Sequence, residues 1–185
     1  MSGIYRKIEQ LVSVLWSIIV FFKSPLLSTF ICLIPSLAFA QTVHPNIDLV
    51  LIEKAKRKMY LMSNGETYRE FYISLGENPI GHKQQEGDDK TPEGRYLIDY
   101  RNENSRFHLS LHITYPSAKD IEIAKQNGVD PGGDIFIHGV PNGMEKKEAA
   151  FYYRDWTNGC IGVLNSEIKE IWELVEIGTV IEIRP

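Results

Sequence analysis

Cys160 and His138 are the two residues whose types and setting point to covalent chemistry. Cys160 closes the run Asp155-Trp156-Thr157-Asn158-Gly159-Cys160, and the only other cysteine, Cys32, lies in the apolar first forty residues. A thiol nucleophile needs a base to take its proton, a group to orient that base, and N–H donors for the oxyanion that forms on the attacked carbonyl. Of the five histidines, His44, His82, His108, His112 and His138, the last is best placed as that base. It ends the strand-like run Asp134–His138, and Gly139 follows, so the ring is able to leave the sheet and face a cleft. Cys160 precedes a second strand-like run, Ile161–Leu164. The two side chains meet if these runs are neighbours in one sheet, and the turn Thr157–Cys160 is then able to aim backbone N–H groups at an oxyanion. The competing reading, a small buried thiol and a structurally satisfied histidine, stays open on residue types alone.

His108 and His112 suggest a different chemistry. In a strand they share a face with Ser110, while Leu109, Leu111 and Ile113 take the other. With His138 they make a three-histidine zinc site with one open position. No His-Glu-x-x-His or Cys-x-x-Cys pattern accompanies them, so polar strand-face residues are the preferred reading, and no metal or other cofactor is expected. The carboxylate pairs Asp88-Asp89 and Glu145/Glu148 read as solvated surface, as do Lys83, Lys90 and Arg95.

Residues 1–40 set the expected compartment. Arg6, Lys7 and Lys23 flank two apolar runs, Leu11–Phe22 and Leu26–Leu37, and the second ends in Ala38-Phe39-Ala40 before Gln41. This is a secretory signal pattern with a small-residue cleavage site, a membrane anchor being the alternative, and it implies export to the periplasm or cell envelope. One domain is expected over 41–185. The whole chain has 20 Lys+Arg and 24 Asp+Glu; without Arg6, Lys7, Lys23 and Glu9 the counts are 17 and 23, a net charge of −6. Such a balance gives no evidence of the clustered cations that phosphate binding needs, so no nucleic-acid partner is expected. Past the leader, the single cysteine has no intramolecular partner for a disulfide.

Strand patterns dominate the elements that must position Cys160 and His138. Asn64-Gly65 between Ile47–Ser63 and Glu66–Leu75 is a hairpin signal, because both turn residues tolerate positive φ. Further strands are expected at Gly94–Tyr100, Phe107–Ile113, Asp134–His138, Ile161–Leu164 and Val180–Arg184. Helices are expected at Ser117–Gln126 and at Ser166–Val175, the latter with Asn165 as N-cap and an apolar stripe of Ile168, Ile171, Trp172 and Val175. Met144–Tyr153 reads as a short helix or ordered loop. Asn78–Gly94 reads as a long polar loop, functional or disordered. The class is mainly β.

The same residues resemble a known family. His138-Gly139 followed by Thr157-Asn158-Gly159-Cys160-Ile161 is similar to the signature of the YkuD-type L,D-transpeptidases. Gly81-His82-Lys83, Glu86-Gly87-Asp88, Thr91–Tyr96, Pro131–Asp134 and Asp155-Trp156 also resemble stretches of that catalytic domain, so the likeness runs from Ile47 to Pro185. It implies a single mainly β, β-sandwich-like catalytic domain with a few short helices, acting on peptidoglycan stem peptides. In this family Cys160 is the nucleophile and His138 the general base and acid, its other ring nitrogen held by a backbone carbonyl. Gly159 and Cys160 supply oxyanion N–H groups, and Gly139, Thr157 and Asn158 support them. The implied reaction is transpeptidation through a thioester. The alternatives are carboxypeptidase or murein-hydrolase action, release of a wall-attached lipoprotein by the same pair, and a noncatalytic murein-binding module. Two positions depart from the family pattern: Asn158 where many members have histidine, and Gly162 where many have arginine. A neighbouring imidazolium is expected to bring the Cys160 thiol below its ordinary value of about 8.5.

Overall fold

A computed structural model describes residues 45–185 apart from residue 153, so the expected leader at 1–40 lies outside the described residues. Alternation builds the first strands. Val50 and Ile52 of β1 (Leu49–Glu53) and Met59 and Leu61 of β2 (Lys58–Ser63) are buried, with more exposed neighbours between them. The run expected as one strand is thus two antiparallel strands, separated by a 3-10 turn at Lys54–Lys56 and by Arg57 at φ 52°. The break has a tertiary cause. Lys54 turns inward and donates to the carbonyls of Gly81 (2.6 Å) and Thr91 (2.9 Å) and to Glu93 Oε1 (2.8 Å). At Asn64-Gly65 the chain takes the expected tight turn, with φ 52° and 81°, into β3 (Glu66–Tyr72).

β4 (Gly94–Ser105) joins the two halves of the molecule. Its first residues pair with β8 (Val180–Arg184), and from Ile98 onward it pairs with β5 (His108–Ile113). It runs past its expected end at Tyr100 through polar residues to Ser105. β5 then pairs with β6 (Phe136–His138), and β6 pairs in parallel with β7 (Ile161–Gly162). The result is an eight-stranded mixed sheet in the order β3-β2-β1-β8-β4-β5-β6-β7. Its two ends meet, because Ser74 N–H donates to the Gly162 carbonyl (2.8 Å) and Gly162 N–H to the Ser74 carbonyl (2.9 Å). Buried residues from both halves, Val50, Ile52 and Ile181 with Leu111, Ile137 and Ile161, form one core cluster, the sandwich-like arrangement expected.

Among the described residues there are two α-helices. α1 (Ala118–Asn127) is capped by Ser117, which exchanges hydrogen bonds with Asp120, and ends at Gly128 with φ 68°. α2 (Asn165–Leu174) packs on β5 and β6 with Ile168, Ile171 and Val175 fully buried, each worth about 1.5–3 kcal/mol relative to exposure. Its N-cap is Leu164 rather than Asn165. The Asn165 side chain is used elsewhere, accepting from Val140 N–H (2.9 Å), while Glu167 accepts from Leu164 N–H (2.8 Å). Within 144–153 a 3-10 helix forms at Glu145–Ala150.

Loop 78–94 is ordered by internal bonds. Asp88 accepts from the N–H groups of Gln84 (2.8 Å), Gln85 (3.1 Å) and Lys90 (3.1 Å) and from Lys83 Nζ (2.8 Å). Lys83 is therefore buried and paired, correcting its expected place on the solvated surface. Arg95 is exposed, 3.8 Å from Glu182.

Candidate active site

The parallel pairing of β6 with β7 sets Ile137 beside Ile161 and His138 beside Gly162. Cys160, one residue before β7, therefore sits near the imidazole, and both line one cleft of about 590 Å³. His138 is 3% exposed. Its Nδ1 lies 2.7 Å from the Gly139 carbonyl. A carbonyl only accepts, so Nδ1 carries the proton and Nε2 keeps its lone pair. Phe107 lies over the ring (centroids 4.4 Å) and Trp156 meets it edge-on (5.5 Å). These apolar walls disfavour the imidazolium, and burial lowers the pKa to about 4, with the Gly139 carbonyl opposing.

Gly139 is glycine for a packing reason. A Cβ there would stand 2.3 Å from Asn165 Oδ1 and 3.1 Å from the Phe107 carbonyl. That close approach lets Asn165 hold the chain just after the histidine.

The turn carrying Cys160 is tied together by Thr157. Its Oγ1 accepts from Gly159 N–H (3.2 Å) and donates to the Cys160 carbonyl (2.7 Å). Of the two amides expected to face an oxyanion, Gly159's is thus engaged with Thr157. Gly159 has φ 124°, and a Cβ there would meet the Lys90 carbonyl at 2.6 Å, so loop 78–94 packs directly under the turn. Asn158 is exposed at the rim. The Cys160 thiol, partly open to the cleft, donates to the Asp134 carbonyl at 3.5 Å. Burial raises its pKa to about 11, with the Phe136 backbone opposing. This corrects the expected acidic thiol. The lowered value needs a neighbouring imidazolium, and a histidine held neutral supplies no charge. The resting pair is thiol and imidazole.

The three histidines of the zinc alternative do not converge. His112 Nδ1 is 2.6 Å from Asp99, His138 Nδ1 faces the Gly139 carbonyl, and among the described residues no group of three metal-binding side chains gathers.

The L,D-transpeptidase catalytic domain model of the YkuD family matches residues 47–183. The chain belongs to that family. A solved structure with the same fold is the helical cell shape determining protein Pgp2 of Campylobacter jejuni, at 25% identity and a TM-score of 0.56, covering 76% of this chain and 51% of that one. Bd1075 of Bdellovibrio bacteriovorus matches at 22% identity and TM-score 0.52, covering 78% and 50%. An L,D-transpeptidase of Xylanimonas cellulosilytica (residues 123-326) matches at 15% and 0.50, covering 76% and 61%. The chain thus spans about half the length of the first two. No curated protein matches it.

Within this YkuD domain the departure at Gly162 has a structural counterpart. A Cβ at Gly162 would lie 3.1 Å from the Trp156 ring, which covers the position where many family members have arginine. Trp156 is in turn set by Asp155, which takes Arg57 Nε (3.0 Å) and Nη2 (2.7 Å) and the Leu75 N–H (3.0 Å). Phe107 and the Asp134 carbonyl also line the site. On sequence Asp134 belongs to it only through the family-like stretch Pro131–Asp134, and Phe107 has no role there.

Proposed function

We propose that the chain is an exported, cysteine-dependent L,D-transpeptidase acting on tetrapeptide stems of peptidoglycan. The observation that carries this reading is the anchoring of His138 Nδ1 on the Gly139 carbonyl, which leaves Nε2 as a base in the cleft that holds the Cys160 thiol. Nε2 takes the thiol proton as sulfur attacks the carbonyl of the third stem residue, a diamino acid. The Cys160 N–H, which donates to no acceptor among the described residues, faces the oxyanion. Collapse breaks the peptide C–N bond, the imidazolium returns its proton to the departing D-alanine amine, and a thioester remains. An amine from a neighbouring stem then attacks the thioester, His138 removing its proton, and the thiol is regenerated with a new cross-link. Starting from a neutral pair suits this sequence, since proton transfer accompanies attack.

Family membership supports peptidoglycan as the substrate. The likeness to a protein described as determining helical cell shape supports a role in wall remodelling. Incubating the chain and Cys160→Ala with disaccharide-tetrapeptide and with whole sacculi, followed by chromatography and mass spectrometry, tests the reading. Cys160-dependent cross-linked dimers are expected. Loss of D-alanine without dimers would assign the same thioester to hydrolysis, and Cys160-dependent release of a protein from sacculi to detachment of a lipoprotein. Binding without any product would indicate a murein-binding module.

A further inference from the structure

Arg57 and Asp155 stand 98 residues apart in the chain, and the fold joins them as a bidentate pair. Arg57 Nε lies 3.0 Å from Asp155 Oδ1 and Nη2 2.7 Å from Oδ2, the fork geometry in which a guanidinium matches a carboxylate. Arg57 is itself fixed. It follows the Lys54–Lys56 turn at φ 52°, its N–H and Nη1 both donate to the Lys54 carbonyl, and its own carbonyl accepts the Ile73 N–H (3.0 Å). Asp155 Oδ1 also takes the Leu75 N–H (3.0 Å), and the Leu75 carbonyl accepts the N–H groups of Trp156 (3.2 Å) and Thr157 (3.1 Å). The two residues after Asp155 are thereby clamped to the segment that follows β3.

The clamp holds one wall of the site. Trp156 meets the His138 ring edge-on (5.5 Å), packs on Phe151 (5.0 Å) and lies over Gly162. Thr157 then ties the turn that ends at Cys160. Neither Arg57 nor Asp155 lines the cleft, yet through Trp156 and this turn their pair reaches both the base and the nucleophile. A misplacement of about 1 Å at a reacting pair costs about 10²-fold in rate, so residues outside the cleft are able to govern the chemistry within it.

We propose that Arg57 and Asp155 are positioning residues for the Cys160–His138 pair, their fork holding Trp156 against the imidazole so that the ring stays aligned and shielded from water. The inference rests on the cysteine–histidine chemistry proposed above and adds a control on it from outside the cleft.

NMR titration of the His138 ring, in the chain with isotope-labelled histidine, tests this without turnover. In the unchanged chain the midpoint is about 4, because burial disfavours the imidazolium. Arg57→Gln and Asp155→Asn are expected to raise it toward the ordinary 6.5 as Trp156 loosens. Asp155→Asn keeps an oxygen for the Leu75 N–H, so its shift reports the pair and not the backbone clamp. Arg57→Lys, a charge without the fork, should recover part of the midpoint. In Trp156→Phe the midpoint should already be raised, and adding Arg57→Gln should shift it little further. The charged residues that border the pair, Arg106, Asp134 and Lys83, are the same in every variant. On tetrapeptide, kcat of Arg57→Gln should fall about 10- to 100-fold with KM little changed. Arg69→Gln, which breaks the exposed Arg69–Glu170 pair, is the control and should alter neither readout.

A midpoint that stays in place in Arg57→Gln and Asp155→Asn overturns the inference, as does a raised midpoint with kcat unchanged. So does an equal shift in Arg69→Gln, which would report general loosening, or a full further shift in the Trp156→Phe background, which would bypass Trp156. If Arg57→Gln does not fold, Asp155→Asn and Arg57→Lys carry the same test. If the unchanged chain turns over no peptide, the stem-peptide reading falls, while the titration still decides whether the pair holds the ring.

Discussion

Two histidines, His82 in loop 78–94 and His138 in the cleft with Cys160, differ in what their ring nitrogens are left to do. His82 accepts the Glu93 N–H at Nδ1 (2.9 Å) and faces the buried Asp120 carboxylate with Nε2 (3.0 Å), so both ring nitrogens are used. Asp120 also takes the hydroxyls of Tyr96 (3.2 Å) and Ser117 (2.7 Å), which ties loop 78–94 to the start of α1. His138 spends one nitrogen on a carbonyl and keeps the other for the cleft. The free lone pair, more than its deeper burial, makes His138 the candidate base.

Substituting each histidine sharpens that contrast. His138→Gln should lower kcat/KM about 10²- to 10⁴-fold, the usual contribution of a general base, with stability little changed. His82→Gln should instead cost about 1–3 kcal/mol in unfolding free energy by leaving Asp120 and the Glu93 N–H short of a partner, while kcat/KM stays within a few-fold. Denaturant unfolding and steady-state kinetics on both variants check this pair. A collapse of activity in His82→Gln, with stability intact, would erase the distinction.

Gly162→Arg tests the departure at β7. The new side chain collides with Trp156, so a loss of about 1–3 kcal/mol and lower activity are expected. If activity rises instead, Trp156 gives way and the site gains from a cation at that position.

The pH dependence gives the finest contrast. Alkylation of Cys160 should speed up toward a midpoint near 11, since the thiol is held neutral by burial, and a midpoint below 8.5 would restore the thiolate–imidazolium pair. His138 has a folded-state pKa of about 4 against an ordinary 6.5, so the unfolded chain binds the proton more readily. Its contribution to stability is present above pH 6.5 and is lost as pH falls toward 4. His138→Gln should remove that part of the pH–stability curve, and an unchanged curve would place the neutral imidazole in doubt.

Local rules account for the elements that could be read directly. Asn64-Gly65 makes its turn, Ser117 and Asp120 cap their helix, and the stripe of Ile168, Ile171 and Val175 is buried because each rule involves neighbours within a few residues. Two readings gave way to partners far along the chain. Lys54 breaks a continuous strand pattern to satisfy Gly81, Thr91 and Glu93, and Asn165 leaves its cap for Val140. A third, Lys83, gave way to a nearby partner, its side chain turning inward to Asp88 within an ordered loop.

By itself the sequence determined the mainly β class and the family and pointed to Cys160 and His138 as the candidate pair, because residue type, spacing and hydrophobic period are written along the chain. Tertiary structure alone decided that β6 and β7 lie side by side in parallel, that Thr157 engages the Gly159 amide, and that Phe107 and Trp156 wall the imidazole. Those walls come from segments distant in sequence, and protonation follows the dielectric they create. The charge state of the pair therefore became legible only once the chain had folded around it.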